Sequence, residues 1–169
     1  LFGFPYVALV PAWAREALNA QADGLGLLMM AMGIGSLTGT LILASIRQLK
    51  MRGAFLVANG FAWGLSVMIF SRCLSYNSAL PSLFLVGLMS AVFMSLNMTL
   101  MQLYSSDEMR GRIVSMAMMT FGIMPLSAVP FGAIAERIGT AESLEIGGFL
   151  LCLFVAVFFF AYPKFRKVA

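Results

Sequence analysis

The side chains best suited to touch a ligand are uncharged. Ser90, Ser95, Asn97, Thr99 and Gln102 lie in one apolar run, and Thr120 lies in the next. Ser90 and Asn97 are seven residues apart and share a helix face, while Ser95, Thr99 and Gln102, at i, i+4 and i+7, form a second row. Asn59 and Ser66 share a stripe with Trp63 in an earlier run. Such groups donate and accept hydrogen bonds without exchanging protons. In lipid, bonds of this kind between helices contribute about 0.6 kcal/mol each on average, and Ser and Thr also bond their own backbone. A structural role therefore competes with solute contact at every one of these positions. Catalysis fits less well. Hydroxyl nucleophiles are present, but no Asp, Glu, Lys, Arg or His lies inside any apolar run to serve as base. The chain has no His, and its two cysteines, Cys73 and Cys152, are too few and too far apart for a disulfide framework or a metal site. Neither catalytic residues nor a metal are expected.

The ionisable residues gather in short clusters between the apolar runs. Residues 105–140 show the arrangement: Asp107, Glu108, Arg110 and Arg112 crowd one charged turn, and no further charge appears until Glu136. At about 1.5 Å per residue, that gap is long enough for a helix to cross a bilayer. Composition agrees, with 61% hydrophobic and 11% charged residues, against roughly a quarter charged in soluble domains. The net charge of +4 does not point to nucleic acid, because the basic residues form no continuous face.

Charge-free runs predict six helices, at about 1–13, 25–46, 54–71, 81–104, 113–135 and 146–162. They lack the short alternating pattern of membrane β-strands, so an all-α integral membrane fold is expected. The first run is too short to span and has neither the basic flank nor the cleavage site of a signal peptide. It reads as a truncated helix with further sequence upstream. Arg47, Lys50, Arg52, Arg110, Arg112, Lys164, Arg166 and Lys167 fall on one side of the bundle, and Arg15, Arg72 and Arg137 on the other. Eight against three assigns the first side, and with it the C-terminus, to the cytoplasm. Cys73 then falls in an outer loop, where an impermeant thiol reagent should reach it.

Small residues repeat at four-residue spacing in the second helix, as Ala31, Gly35 and Gly39 and as Ser36, Thr40 and Ala44; the third helix carries Gly60 and Gly64. These rows predict close backbone packing, with sliding between conformations as the second reading. Methionines concentrate on the fourth helix (Met89, Met94, Met98, Met101) and the fifth (Met116, Met118, Met119, Met124). Their flexible side chains suit adaptable contacts with apolar ligands as well as simple filling. Pro125 and Pro130 each remove a backbone donor, so the fifth helix is expected to bend or open there.

The run Asp107-Glu108-Met109-Arg110-Gly111-Arg112, then Ser115-Met116, then Gly122-Ile123-Met124-Pro125-Leu126, then Gly132-Ala133-Ile134-Ala135-Glu136-Arg137-Ile138-Gly139 resembles the last third of major facilitator superfamily transporters. The likeness is to the branch that holds siderophore exporters and macrolide-efflux pumps. It implies a six-helix bundle equivalent to helices seven to twelve of a twelve-helix fold, its first helix truncated, with an N-terminal six-helix half as partner. It implies a secondary active exporter of amphipathic small molecules, siderophore- or drug-like, working by alternating access in a bacterial inner membrane. The partners are then the lipid bilayer and a small-molecule solute, with no cofactor and no nucleic acid. In that family the first and fourth helices of each half line the path, the second and fifth flank it, and the third and sixth face lipid. This favours Ser90, Met94 and Asn97 on the fourth helix and Thr120 with Pro125 on the fifth, and demotes Asn59. Asp107, Arg110 and Arg112 become cytoplasmic topology or gate-packing residues. The family's other turn signature is kept only in part: Gly39 and Arg47-Gln48-Leu49-Lys50-Met51-Arg52-Gly53 preserve the basic turn but lack its Asp. Two alternatives remain, the membrane part of a multi-subunit or ATP-driven transporter and, more weakly, a membrane-embedded enzyme.

Overall fold

A computed structural model describes residues 5–46, 52–103 and 105–161. Its elements are six helices: α1 (Pro5–Leu18), α2 (Ala22–Ser45), α3 (Arg52–Ser71), α4 (Tyr76–Leu103), α5 (Asp107–Ile138) and α6 (Thr140–Ala161). No strand occurs among the described residues. All but α1 are long and apolar enough to cross a membrane, so the fold is an all-α integral membrane bundle.

The helices outrun the apolar segments because a helix satisfies its backbone equally well in water and in lipid. The charged stretch at 105–112 is therefore mostly helix. A short break at Ser105 and Ser106 precedes α5, whose first residues are Asp107 and Glu108, where negative charge favours the positive end of the helix dipole. At its far end Gly139, with φ 104°, sends its N–H to the Ala135 carbonyl at 2.9 Å. A left-handed backbone suits glycine, and α6 starts at the very next residue. Pro125 and Pro130 do not break α5, which runs unbroken for 32 residues; the two prolines leave the carbonyls of Phe121 and Leu126 without a helical donor. The basic residues Arg47, Lys50, Lys164, Arg166 and Lys167 lie outside the described residues.

Packing follows the small residues. Gly35 and Gly39 on α2 meet the α4 backbone at Phe84 and Leu88, and Gly87 on α4 meets Met32 in return. The Ser36 hydroxyl donates to the Met32 carbonyl at 3.0 Å and reaches across to the Gly87 carbonyl at 3.2 Å. Gly64 on α3 faces Gly148 and Cys152 on α6 in the same manner. Asn59, almost fully buried, donates its amide to the Met89 carbonyl at 2.8 Å and ties α3 to α4. Rings join α1 to α3: Trp13 lies 4.3 Å from Phe70, and Tyr6 lies 6.3 Å from Trp63, edge to face. At the opposite end from the α5 N-terminus, the Thr140 hydroxyl donates to the Glu16 carboxylate at 2.6 Å and Arg72 pairs with Glu145 at 2.6 Å. The ends of α1 and α3 are thereby fastened to the start of α6.

Cys73 does lie between α3 and α4 but is buried, its sulfur 3.3 Å from the Ser82 hydroxyl. The expected reagent-accessible thiol is thus packed away, while its neighbour Leu74 is 84% exposed. With the C-terminus cytoplasmic, Leu74→Cys should be modified by an impermeant maleimide added to intact cells, and Cys73 should stay unreacted. Modification confined to inside-out vesicles would reverse the orientation.

Candidate functional site

Polar groups of α4 divide between two faces. At about 100° per residue, the row Ser95, Thr99 and Gln102 lies on the opposite side of the helix from Asn97. Each side adjoins a cavity.

The first cavity, about 550 Å³ and open, lies between the ends of α4 and α5 and is lined by Thr99, Gln102, Leu103 and Val114. Hydroxyls along both helices are satisfied locally: Thr99 donates to the Ser95 carbonyl at 2.7 Å, Ser115 to Gly111 at 2.9 Å and Thr120 to Met116 at 3.0 Å. Donation to its own helix leaves each oxygen able to accept a hydrogen bond from a solute. Gln102 contributes the one side-chain amide among the described lining residues. Above the crevice α5 is the least buried of the long helices, with Met116, Met118, Met119, Leu126 and Val129 exposed.

The second cavity, about 320 Å³, lies between α3, α4 and α6 and is lined by Leu56, Val57, Phe93, Asn97, Phe154, Val155 and Phe158. Asn97 is the polar residue among its described lining.

The structure separates the candidates drawn from the sequence. Ser90 is buried, donates to the Gly87 carbonyl at 2.9 Å and meets the Tyr6 phenol from α1. Met94 is half-buried and Thr120 exposed. Asn97 lines the second cavity, and Pro125 and Pro130 lie within the exposed α5. Arg112 is exposed near the α5 N-terminus, while the side chains of Asp107 and Arg110 lie outside the described residues. Val114 and the aromatic wall of Phe93, Phe154 and Phe158 did not emerge from the sequence. The signal was present in the second case, since Phe93 with Asn97 and Phe154 with Phe158 are i, i+4 pairs.

Every charged residue of the described helices lies within six residues of a helix end. Just beyond the end of α3, hydrogen bonding to Glu145, then its charge, raises the Arg72 pKa above the ordinary guanidinium value, against a smaller desolvation effect.

Long apolar helices, charges confined to their ends and an open, largely apolar crevice that carries Thr99 and Gln102 between two of them describe a helical membrane transporter. The chain belongs to the transmembrane secretion effector family of the major facilitator superfamily, whose sequence profile matches residues 1–168. This places it with membrane transporters rather than with enzymes. It is similar to the Staphyloferrin A transporter of Staphylococcus aureus (strain NCTC 8325 / PS 47), at 23% identity over 166 residues, covering 97% of this chain and 41% of that relative. The chain therefore spans less than half the length of the curated relative it matches. No solved structure matches it.

Proposed function

We propose that the chain is the C-terminal half of a secondary active exporter that moves amphipathic, siderophore- or drug-like small molecules by alternating access. The observation that carries this reading is the state of α5. It has a largely apolar crevice bearing Thr99 and Gln102 against α4 on one side and a bare apolar flank elsewhere. A span left this open in one half is what a path shared with another half requires. α2 is exposed in the same way, with Leu37 and Leu41 both about two-thirds exposed. In the wider superfamily these second and fifth helices flank the path. An N-terminal six-helix half seated on α2 and α5 would close the path over α4.

In this reading Thr99, Gln102 and Thr120 offer hydrogen bonds along the path, and Met94 with the α5 methionines offers adaptable apolar contact. Asp107, Arg110 and Arg112 close the cytoplasmic end by packing against the other half. The membrane is the bacterial inner membrane and the C-terminus is cytoplasmic. A named Staphyloferrin A transporter among the relatives supports a siderophore-like cargo. Spans without an ionisable group at mid-depth supply shape and polarity; if protons drive transport, the coupling group belongs to the other half. The test is solute uptake by inside-out vesicles carrying the complete protein, which should require an ion gradient and no ATP.

A further inference from the structure

The cavity beside Asn97 lies on the face of α4 turned away from the crevice. Among the described residues its walls are hydrocarbon apart from one amide. Among the described residues no side chain or backbone group hydrogen-bonds that amide. Water is a poor occupant, because an ordered water needs two to four polar partners and the described lining offers one. A dry void would leave the lining atoms without dispersion partners.

Position identifies what fills it. The wall residue Phe154 is 59% exposed and belongs to a stripe along α6 with Phe149, Leu153, Val157 and Phe160, all between 48% and 75% exposed. α6 is a membrane span, so the cavity is continuous with an apolar surface set in bilayer hydrocarbon. Depth agrees. The 28 residues of α4 make a helix about 42 Å long, so the hydrocarbon region of about 30 Å begins about 6 Å in from either end. Asn97, six residues before Leu103, lies about 9 Å from its end, just inside the level where lipid ester carbonyls give way to tails.

We propose that this cavity is a binding site for a bilayer glycerolipid, whose acyl chain lies along Phe93, Phe154 and Phe158 while its ester carbonyl accepts a hydrogen bond from the Asn97 amide. Bound lipid would brace α3, α4 and α6 on the side remote from the crevice. The site does not depend on the export reading.

The complete protein is placed in phosphatidylcholine vesicles doped with a phosphatidylcholine bearing a diazirine on one acyl chain, illuminated and mapped by mass spectrometry. Adducts are expected at Val57 and Phe93 inside the cavity as well as at the outward Phe160. Asn97→Phe, which fills the space, should remove the inner adducts and leave Phe160 labelled; Leu56→Phe does the same from the opposite wall if the first variant fails to fold. Asn97→Leu should lower inner labelling about fivefold with the ester lipid, the loss of one hydrogen bond, and leave it unchanged with the ether-linked analogue. Labelling only at Phe160, inner labelling indifferent to the filling variants, or inner labelling displaced by a transported solute would each overturn the assignment.

Discussion

Adding a single methyl group at Gly35 or at Gly87 is expected to destroy the packed bundle. A Cβ at Gly35 would fall on the Phe84 carbonyl oxygen, and one at Gly87 on the Met32 carbonyl oxygen, each well inside the 3.0 Å that real Cβ atoms keep. The obstacle is another helix's backbone, which cannot rotate aside as a side chain can. α2 and α4 must separate along their length, and the Ser36 bond to the Gly87 carbonyl breaks with them. Overpacking typically destabilises by 1–3 kcal/mol, and a backbone clash puts each variant at about 3 kcal/mol or above. Lipid makes the loss harder to offset, because packing rather than hydrophobic burial holds helices together there. Gly33 is the internal control: two residues from Gly35 on the same helix, it has open space around it, and Ala there gains helix propensity. Gly35→Ala and Gly87→Ala should lose most of their monodisperse protein in mild detergent, with Gly33→Ala matching the unmodified protein. Equal behaviour of all three would show that α2 and α4 are not in backbone contact.

The second large effect is on transport. Thr99 is exposed on the crevice wall and its hydroxyl is bonded to its own helix, so Thr99→Cys should fold normally. Reaction of that thiol with a bulky maleimide puts a rigid group between Thr99 and Val114, and nearly all export by the complete protein should stop. Saturating solute should slow the reaction, since both compete for one space. The same adduct at Phe160→Cys, on the lipid-facing stripe of α6, should leave export intact. Full export through a modified Thr99→Cys protein would remove the crevice from the path.

Much of the fold was legible because lipid imposes two strict conditions, a minimum length and internal satisfaction of the backbone. Charge-free runs meet both only as helices, so their number and type could be read directly. Their ends could not. Past the bilayer edge, water no longer decides between helix and turn, and the stretch that begins at Asp107 stayed helical with four charges in it. The row Gly35 and Gly39 announced a close approach without naming the partner. A small-residue row shows that a helix can be approached, and only the folded chain shows that Gly87 is what approaches. Cys73 illustrates the same gap: its loop position was legible, its burial against Ser82 was not. The two polar rows of α4 were also readable as spacings. Which neighbours they met, α5 for Thr99 and Gln102 or α3 and α6 for Asn97, depended on contacts between residues far apart in sequence.

As half of an exporter driven by an ion gradient, this bundle should support gradient-driven movement of solute once the whole protein is assembled. The measurement is made in inside-out vesicles carrying the complete protein, where export from the cytoplasm becomes uptake, with staphyloferrin A and a panel of amphipathic dyes as solutes. Uptake of at least one solute is expected on imposing a proton or sodium gradient without ATP, its collapse on adding ionophores, and its loss with the Thr99→Cys adduct. Uptake that requires ATP and survives the ionophores would mean that the bundle is not half of a gradient-driven exporter.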